Sequence, residues 1–204
     1  MTLILDYGVG NLFSLRSSLS AIGEEASVSS DPREIPLADR LILPGVGAFA
    51  DAAQKLDACG LAEPLKKAAL DGKPLLGICL GMQLLFEESL EFGRHKGLGL
   101  VKGTVRPIAD VIPKSYKIPH IGWNGLHLTD PSCPLWKYTK EGDCFYFVHS
   151  FYGADCDAVC ATTEYGAELT AAVANGTVFG TQFHPEKSGD AGLALLRAFC
   201  EVRK

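Results

Sequence analysis

The chain has 204 residues, 47% of them hydrophobic and 21% charged, with 19 Lys and Arg against 24 Asp and Glu. This is enough apolar material for one packed unit and too much for a disordered chain. A net charge of −5 with only two short basic clusters excludes a surface built to grip nucleic-acid backbones or an anionic membrane.

The first residues, MTLILDYG, carry no basic segment, and no window approaches the roughly 18 apolar residues of a spanning helix, so a cytosolic location is expected. Residues 2–5 form a short apolar strand closed by Asp6. Asn11 then precedes Leu12, Leu15, Leu19 and Ile22, spacings that place one apolar stripe on a helix ended by Gly23. A weak strand is predicted over Ala26 to Ser29, and a clear one over Arg40 to Leu43, running into the loop Pro44-Gly45-Val46-Gly47. Two helical stretches follow to about Leu70, then an apolar strand from Pro74 to Cys79 and a stretch of helix formers from Leu80 to Glu88. Alternating strands and helices predict a parallel sheet with helices on both faces. Beyond this, Leu98 to Leu128 and Phe145 to Phe183 are dense in Val, Thr, Tyr, Phe and turn formers, which predicts short, partly antiparallel strands. Ser188 is placed to cap a last helix with Leu195, Leu196, Phe199 and Val202 inward. The whole, residues 1–204, reads as one α/β domain: a central, mostly parallel sheet flanked by helices, with an added strand-rich antiparallel second half.

Seven cysteines, at positions 59, 79, 133, 144, 156, 160 and 200, include no C-x-x-C pair; most are expected to be reduced, buried core residues. Cys79 differs from the rest. Gly77-Ile78-Cys79-Leu80-Gly81 has the G-x-nucleophile-x-G form of a nucleophile elbow, a strained strand-to-helix turn that exposes the nucleophile at the sheet edge. The N–H groups at the start of the following helix favour a thiolate, and that of Leu80 is placed to meet an oxyanion. Taken alone, Cys79 reads equally well as a small residue buried at a strand end. A thiolate needs a base, and of the five histidines only His184 has a carboxylate at a useful distance, in His184-Pro185-Glu186 after a strand predicted over Thr177 to Phe183. Pro185 fixes the chain so that both polar side chains can enter one pocket, giving a Cys-His-Glu triad. The loop at Val46 and Gly47 ends another parallel strand and offers a second oxyanion donor. Residues 45–50 also match the dinucleotide form G-x-G-x-x-A, but Glu63, the acidic residue at the expected distance, falls within a helical stretch. Gln83 lies one helical turn beyond Cys79 on the same face. His149, among aromatic neighbours, reads as structural.

With these residues assembled, the chain resembles the class I glutamine amidotransferases over nearly its whole length, through PGVG at 44–47, GICLGMQ at 77–83 and QFHPEKS at 182–188. The resemblance implies a glutaminase in which Cys79 attacks the glutamine amide, His184 and Glu186 handle the proton, Leu80, Val46 and Gly47 form the oxyanion hole, and Gln83, Glu91, Ser150 and Phe151 hold glutamine. No metal or cofactor is implied. The stretches PHIGWN at 119–124, YFVHSF at 146–151 and TTEYG at 162–166 look like the branch that feeds ammonia to a (β/α)₈-barrel cyclase in histidine biosynthesis. By that likeness Asn11, His120, Trp123, Asn124, Tyr146 and Lys187 face the cyclase subunit of a heterodimer. Two alternatives stay open: a glutaminase serving another synthase, such as a chorismate-aminating one, and a non-catalytic redox or binding protein of similar fold.

Overall fold

The computed structural model describes residues 1–203. β1 (Thr2–Leu5) leads to α1 (Leu12–Ala21), whose cap Asn11 accepts the Ser14 N–H at 3.2 Å. β2 (Ala26–Ser29), β3 (Arg40–Leu43), α2 (Phe49–Ala58), α3 (Ala62–Leu70), β4 (Leu75–Ile78) and α4 (Leu80–Leu85) complete the first half. The second half is almost all strand: β5 (Phe86–Ser89), β6 (His95–Lys96), β7 (Val101–Pro107), β8 (His120–Gly125), β9 (Cys144–His149), β10 (Phe151–Ala154), β11 (Val159–Glu164), β12 (Glu168–Asn175) and β13 (Val178–Thr181). α5 (Gly189–Glu201) closes the chain.

The central sheet has the order β11-β12-β13-β4-β3-β1-β2. Its strands from β2 to β13 run parallel, and β12 and β11 extend it antiparallel. Strand alternation divides the core into two layers. Leu3, Leu5, Leu41, Leu43 and Leu75 face Phe49, Leu56 and Leu65 of α2 and α3, whereas Ile4, Ile42, Leu76 and Ile78 face Leu15, Leu19, Leu195, Leu196 and Phe199 of α1 and α5. A second sheet, β10-β7-β5-β6, packs Phe86, Val101 and Val105 into the first layer, and the hairpin β8-β9 packs Phe145 and Phe147 into the second. No helix among the described residues is long and apolar enough to cross a membrane.

Two expectations are corrected. The helix predicted from Leu80 to Glu88 ends at Leu85, and Phe86–Ser89 is a strand, because this segment lies between β7 and β6 and ladder pairing overrides the helical preference of Glu87 and Glu88. Ser188 does stand at the cap position of α5, but its hydroxyl makes no cap bond; it donates to the His184 carbonyl at 2.6 Å and accepts the Tyr146 N–H at 3.0 Å. Of the seven free cysteines, residues 79, 133, 160 and 200 are buried, while Cys59 and Cys144 are exposed.

Candidate active site

β4 and β13 are parallel neighbours, with Thr181 registered against Ile78. Both strands end there, so the residues that follow emerge side by side at the carboxyl edge of the sheet. The Cys79 N–H donates to the Thr181 carbonyl at 2.7 Å, and Gln182 donates from Nε2 to Cys79 Sγ at 3.7 Å. Cys79 itself has φ +55° and ψ −111°, a conformation that few residues other than glycine adopt, as the elbow reading requires. The turn is possible because three glycines meet beneath it. A Cβ on Gly81 would lie 1.9 Å from the Leu43 carbonyl oxygen, and one on Gly45 would lie 2.6 Å from the Gly81 nitrogen. A Cβ on Gly77 would lie 2.6 Å from the Gly81 oxygen.

His184 follows three residues after the end of β13. Its N–H donates to the Tyr146 carbonyl at 2.9 Å, and the 3-10 turn Pro185–Lys187 brings Glu186 back so that Oε1 meets His184 Nδ1 at 2.8 Å. Both side chains are about 95% or more buried. Burial opposes charge on the His184 ring, but hydrogen bonds to the Cys79 sulfur and to Glu186 outweigh it and raise the pKa to about 9. The geometry therefore favours a protonated ring on His184, facing the Cys79 sulfur.

These groups open into a cleft of about 730 Å³ whose walls include Val46, Gly47, Leu80, Gln83, Glu91, Ser150 and Phe151, so every residue expected at the oxyanion hole and around glutamine lines one cavity. Gln83 donates from Nε2 to the Phe151 carbonyl at 3.1 Å and to Gln182 Oε1 at 3.0 Å. The Glu91 carboxylate accepts the Phe49 N–H at 2.6 Å. His149 lines the cleft but behaves as a structural residue: Nδ1 faces the Phe151 carbonyl at 2.8 Å, Nε2 faces His120 Nδ1 at 3.0 Å, and burial lowers its pKa to about 4.

At the rim, Trp123 is 56% exposed and meets Tyr146 edge-on at 6.1 Å, and Lys187 sits over the Tyr146 ring at 5.8 Å. Asn11 is exposed and Asn124 half-buried. His120, expected on this surface, is fully buried, stacked against Phe147 and Tyr165, with Asn124 Oδ1 2.9 Å from its Nε2. It supports the rim from beneath. Sequence reasoning missed Gln182, Tyr7 and Phe92. Gln182 was accessible from the two apolar runs ending together; Tyr7, whose buried hydroxyl donates to the Pro44 carbonyl at 2.6 Å, carries no local signal.

The family model for glutamine amidotransferase class-I matches residues 3–202. The chain is 49% identical over 203 residues to the imidazole glycerol phosphate synthase subunit HisH of Caldanaerobacter subterraneus, covering 98% of each chain. It is 48% identical over 206 residues to that of Bacillus cytotoxicus, covering all of this chain and 96% of the relative. Among solved structures, one described as a glutamine amidotransferase superposes with a TM-score of 0.77 at 20% identity, covering 98% of this chain and 97% of the other. PurLQS from Thermotoga maritima superposes with 0.75 at 23%, covering 98% and 96%. These two show the same fold. A paired thiol and imidazole on adjoining strand ends, within a family match that spans almost every residue, place the chain among the class-I glutamine amidotransferases, alongside the HisH subunits.

Proposed function

We propose that the Cys79 cleft is where this chain, as the glutaminase subunit of an imidazole glycerol phosphate synthase, hydrolyses glutamine. The observation that carries the residue roles is the buried Cys79–His184–Glu186 array at the head of a cleft lined by Val46, Gly47, Leu80 and Gln83. The Cys79 thiolate attacks the side-chain amide carbon, and the N–H groups of Leu80 and of the Val46–Gly47 loop receive the resulting oxyanion. The tetrahedral species collapses as the C–N bond breaks and the His184 imidazolium gives its proton to the departing nitrogen, which leaves as ammonia. A γ-glutamyl thioester remains on Cys79. Water then attacks it, His184 takes the water's proton, the C–S bond breaks, and glutamate and the thiolate are regenerated. Glu186 keeps the ring oriented throughout. Gln83, Glu91, Ser150 and the Phe151 backbone hold the amino-acid end.

Ammonia released into neutral water is protonated and lost as a nucleophile, so the cleft has to deliver it directly. We place a (β/α)₈-barrel cyclase over the mouth, against Asn11, Trp123, Asn124, Tyr146 and Lys187, as the second subunit of a cytosolic heterodimer. Exposed Trp123, with Lys187 and half-buried Tyr146 beside it at the rim, supports this. In the assembled complex, Cys79→Ala is expected to abolish glutamate release while leaving synthesis from added ammonium salts intact. Glutamine-dependent turnover that survives in Cys79→Ala overturns the assignment.

A further inference from the structure

The loop from Pro44 to Ala48, which carries the oxyanion donors, is fastened differently at its two ends. Upstream, the Tyr7 hydroxyl holds the Pro44 carbonyl and Gly45 lies against the Gly81 backbone. In the middle, Val46 is 43% exposed and Gly47 has φ +96°. Downstream, Ala48 starts α2 with no side-chain cap of its own. The first free N–H of that helix, on fully buried Phe49, is instead taken by the Glu91 carboxylate, 42 residues away.

The same carboxylate lines the cleft. Its aim is enforced locally: the Glu91 N–H donates to Ser89 Oγ at 3.1 Å, and Phe92 adopts φ +51°, which turns the chain so that Phe92 is 89% exposed while Glu91 is 8% exposed. A left-handed conformation is unfavourable for a non-glycine residue, so the segment carries strain in the arrangement that points Glu91 inward.

We propose that Glu91 has two uses: it binds the substrate's α-ammonium, as the glutaminase reading above implies, and it is also a positioning residue that anchors the downstream end of the oxyanion loop through Phe49. A carboxylate has acceptor capacity for both tasks. Occupation of the amino-acid subsite and the setting of the oxyanion donors therefore meet on one side chain.

The test uses the chain assembled with its cyclase subunit, with glutamine and with glutaramate, which is glutamine without the α-amino group. Glu91→Gln keeps an oxygen that accepts from Phe49 but loses the charge; it should raise KM for glutamine by about tenfold or more and lower kcat by less than about threefold. Glu91→Ala leaves the Phe49 N–H buried and unpaired; it should also lower kcat by about tenfold or more, on both substrates. Alkylation of Cys79 by iodoacetamide needs the thiolate and no oxyanion hole, so it should proceed at the wild-type rate in Glu91→Ala. Equal kcat values for the two variants overturn the proposal, as does a wild-type kcat of Glu91→Ala on glutaramate. Alkylation that falls in step with kcat overturns it too, since Glu91 would then support the cleft as a whole. Failure of the underlying reading looks different: Cys79→Ala would keep its turnover.

Discussion

Cys79 and His184 each depend on a neighbour that does not react. The thiol is set by a φ of +55° that the glycines around it permit, and the imidazole by a carboxylate two residues away at 2.8 Å. His184 is a group whose folded pKa is raised, to about 9. Its charged contacts therefore contribute fully below the unfolded value near 6.5, and the contribution is lost as pH rises through about 9. Glu186→Gln removes one of the two partners that raise it. The alkaline limb of kcat for glutamine, which needs the protonated ring to deliver a proton to the leaving nitrogen, should move to lower pH, and kcat should fall by at least about a hundredfold, as when the orienting acid of a triad is neutralised. An unchanged alkaline limb of kcat between neutral pH and about pH 10 would show that Glu186 does not hold the proton on His184. The triad was legible in the sequence because its members sit on punctuated segments, a cysteine between glycines and a histidine before a proline. The supporting residues were not: Tyr7 and Gln182 act across distances that no local spacing encodes.

β1, β3 and β4 are buried on both faces, so they read as uninterrupted apolar runs and were legible at once. β5 was not, since Phe86–Ser89 becomes a strand only when β7 arrives beside it. β8 inverts the usual alternation: it leaves Ile121 and Trp123 more than half exposed and buries His120 between two aromatic rings. His120 was expected at the partner surface by family likeness, and it is Ile121 and Trp123 that stand on the outer side of this hairpin. The most demanding junction is where α4 crosses the ends of β3 and β4. Gly81→Ala would drive a methyl group to 1.9 Å from the Leu43 carbonyl oxygen, which is main chain and cannot turn aside. Overpacking of this kind costs about 1–3 kcal/mol even where side chains can shift. The unfolding free energy from a denaturant titration should drop by at least that amount, with Cys79 alkylation lost first. A Gly81→Ala protein with wild-type stability would refute the close approach.

At the scale of the whole molecule, the cleft, the exposed aromatic rim and the carboxyl ends of the parallel strands all lie on one side. The barrel partner placed there has a direct test. Trp123→Ala should weaken assembly with the cyclase by about 1–2 kcal/mol, roughly five- to thirtyfold in Kd, in a calorimetric titration. The same variant should leave Cys79 alkylation unchanged, because Trp123 does not touch the triad. Unaltered affinity would move the docking surface elsewhere.

The register of β13 on β4 has a consequence for the order in which the site is put together. Gln182 and Cys79 meet across 103 residues of sequence, and His184 follows Gln182 by two. While the protein is being synthesised, the cysteine is made first and waits for the base proposed to serve it. The two meet only when β13 is laid against β4, so the rate of Cys79 alkylation should report the docking of that strand.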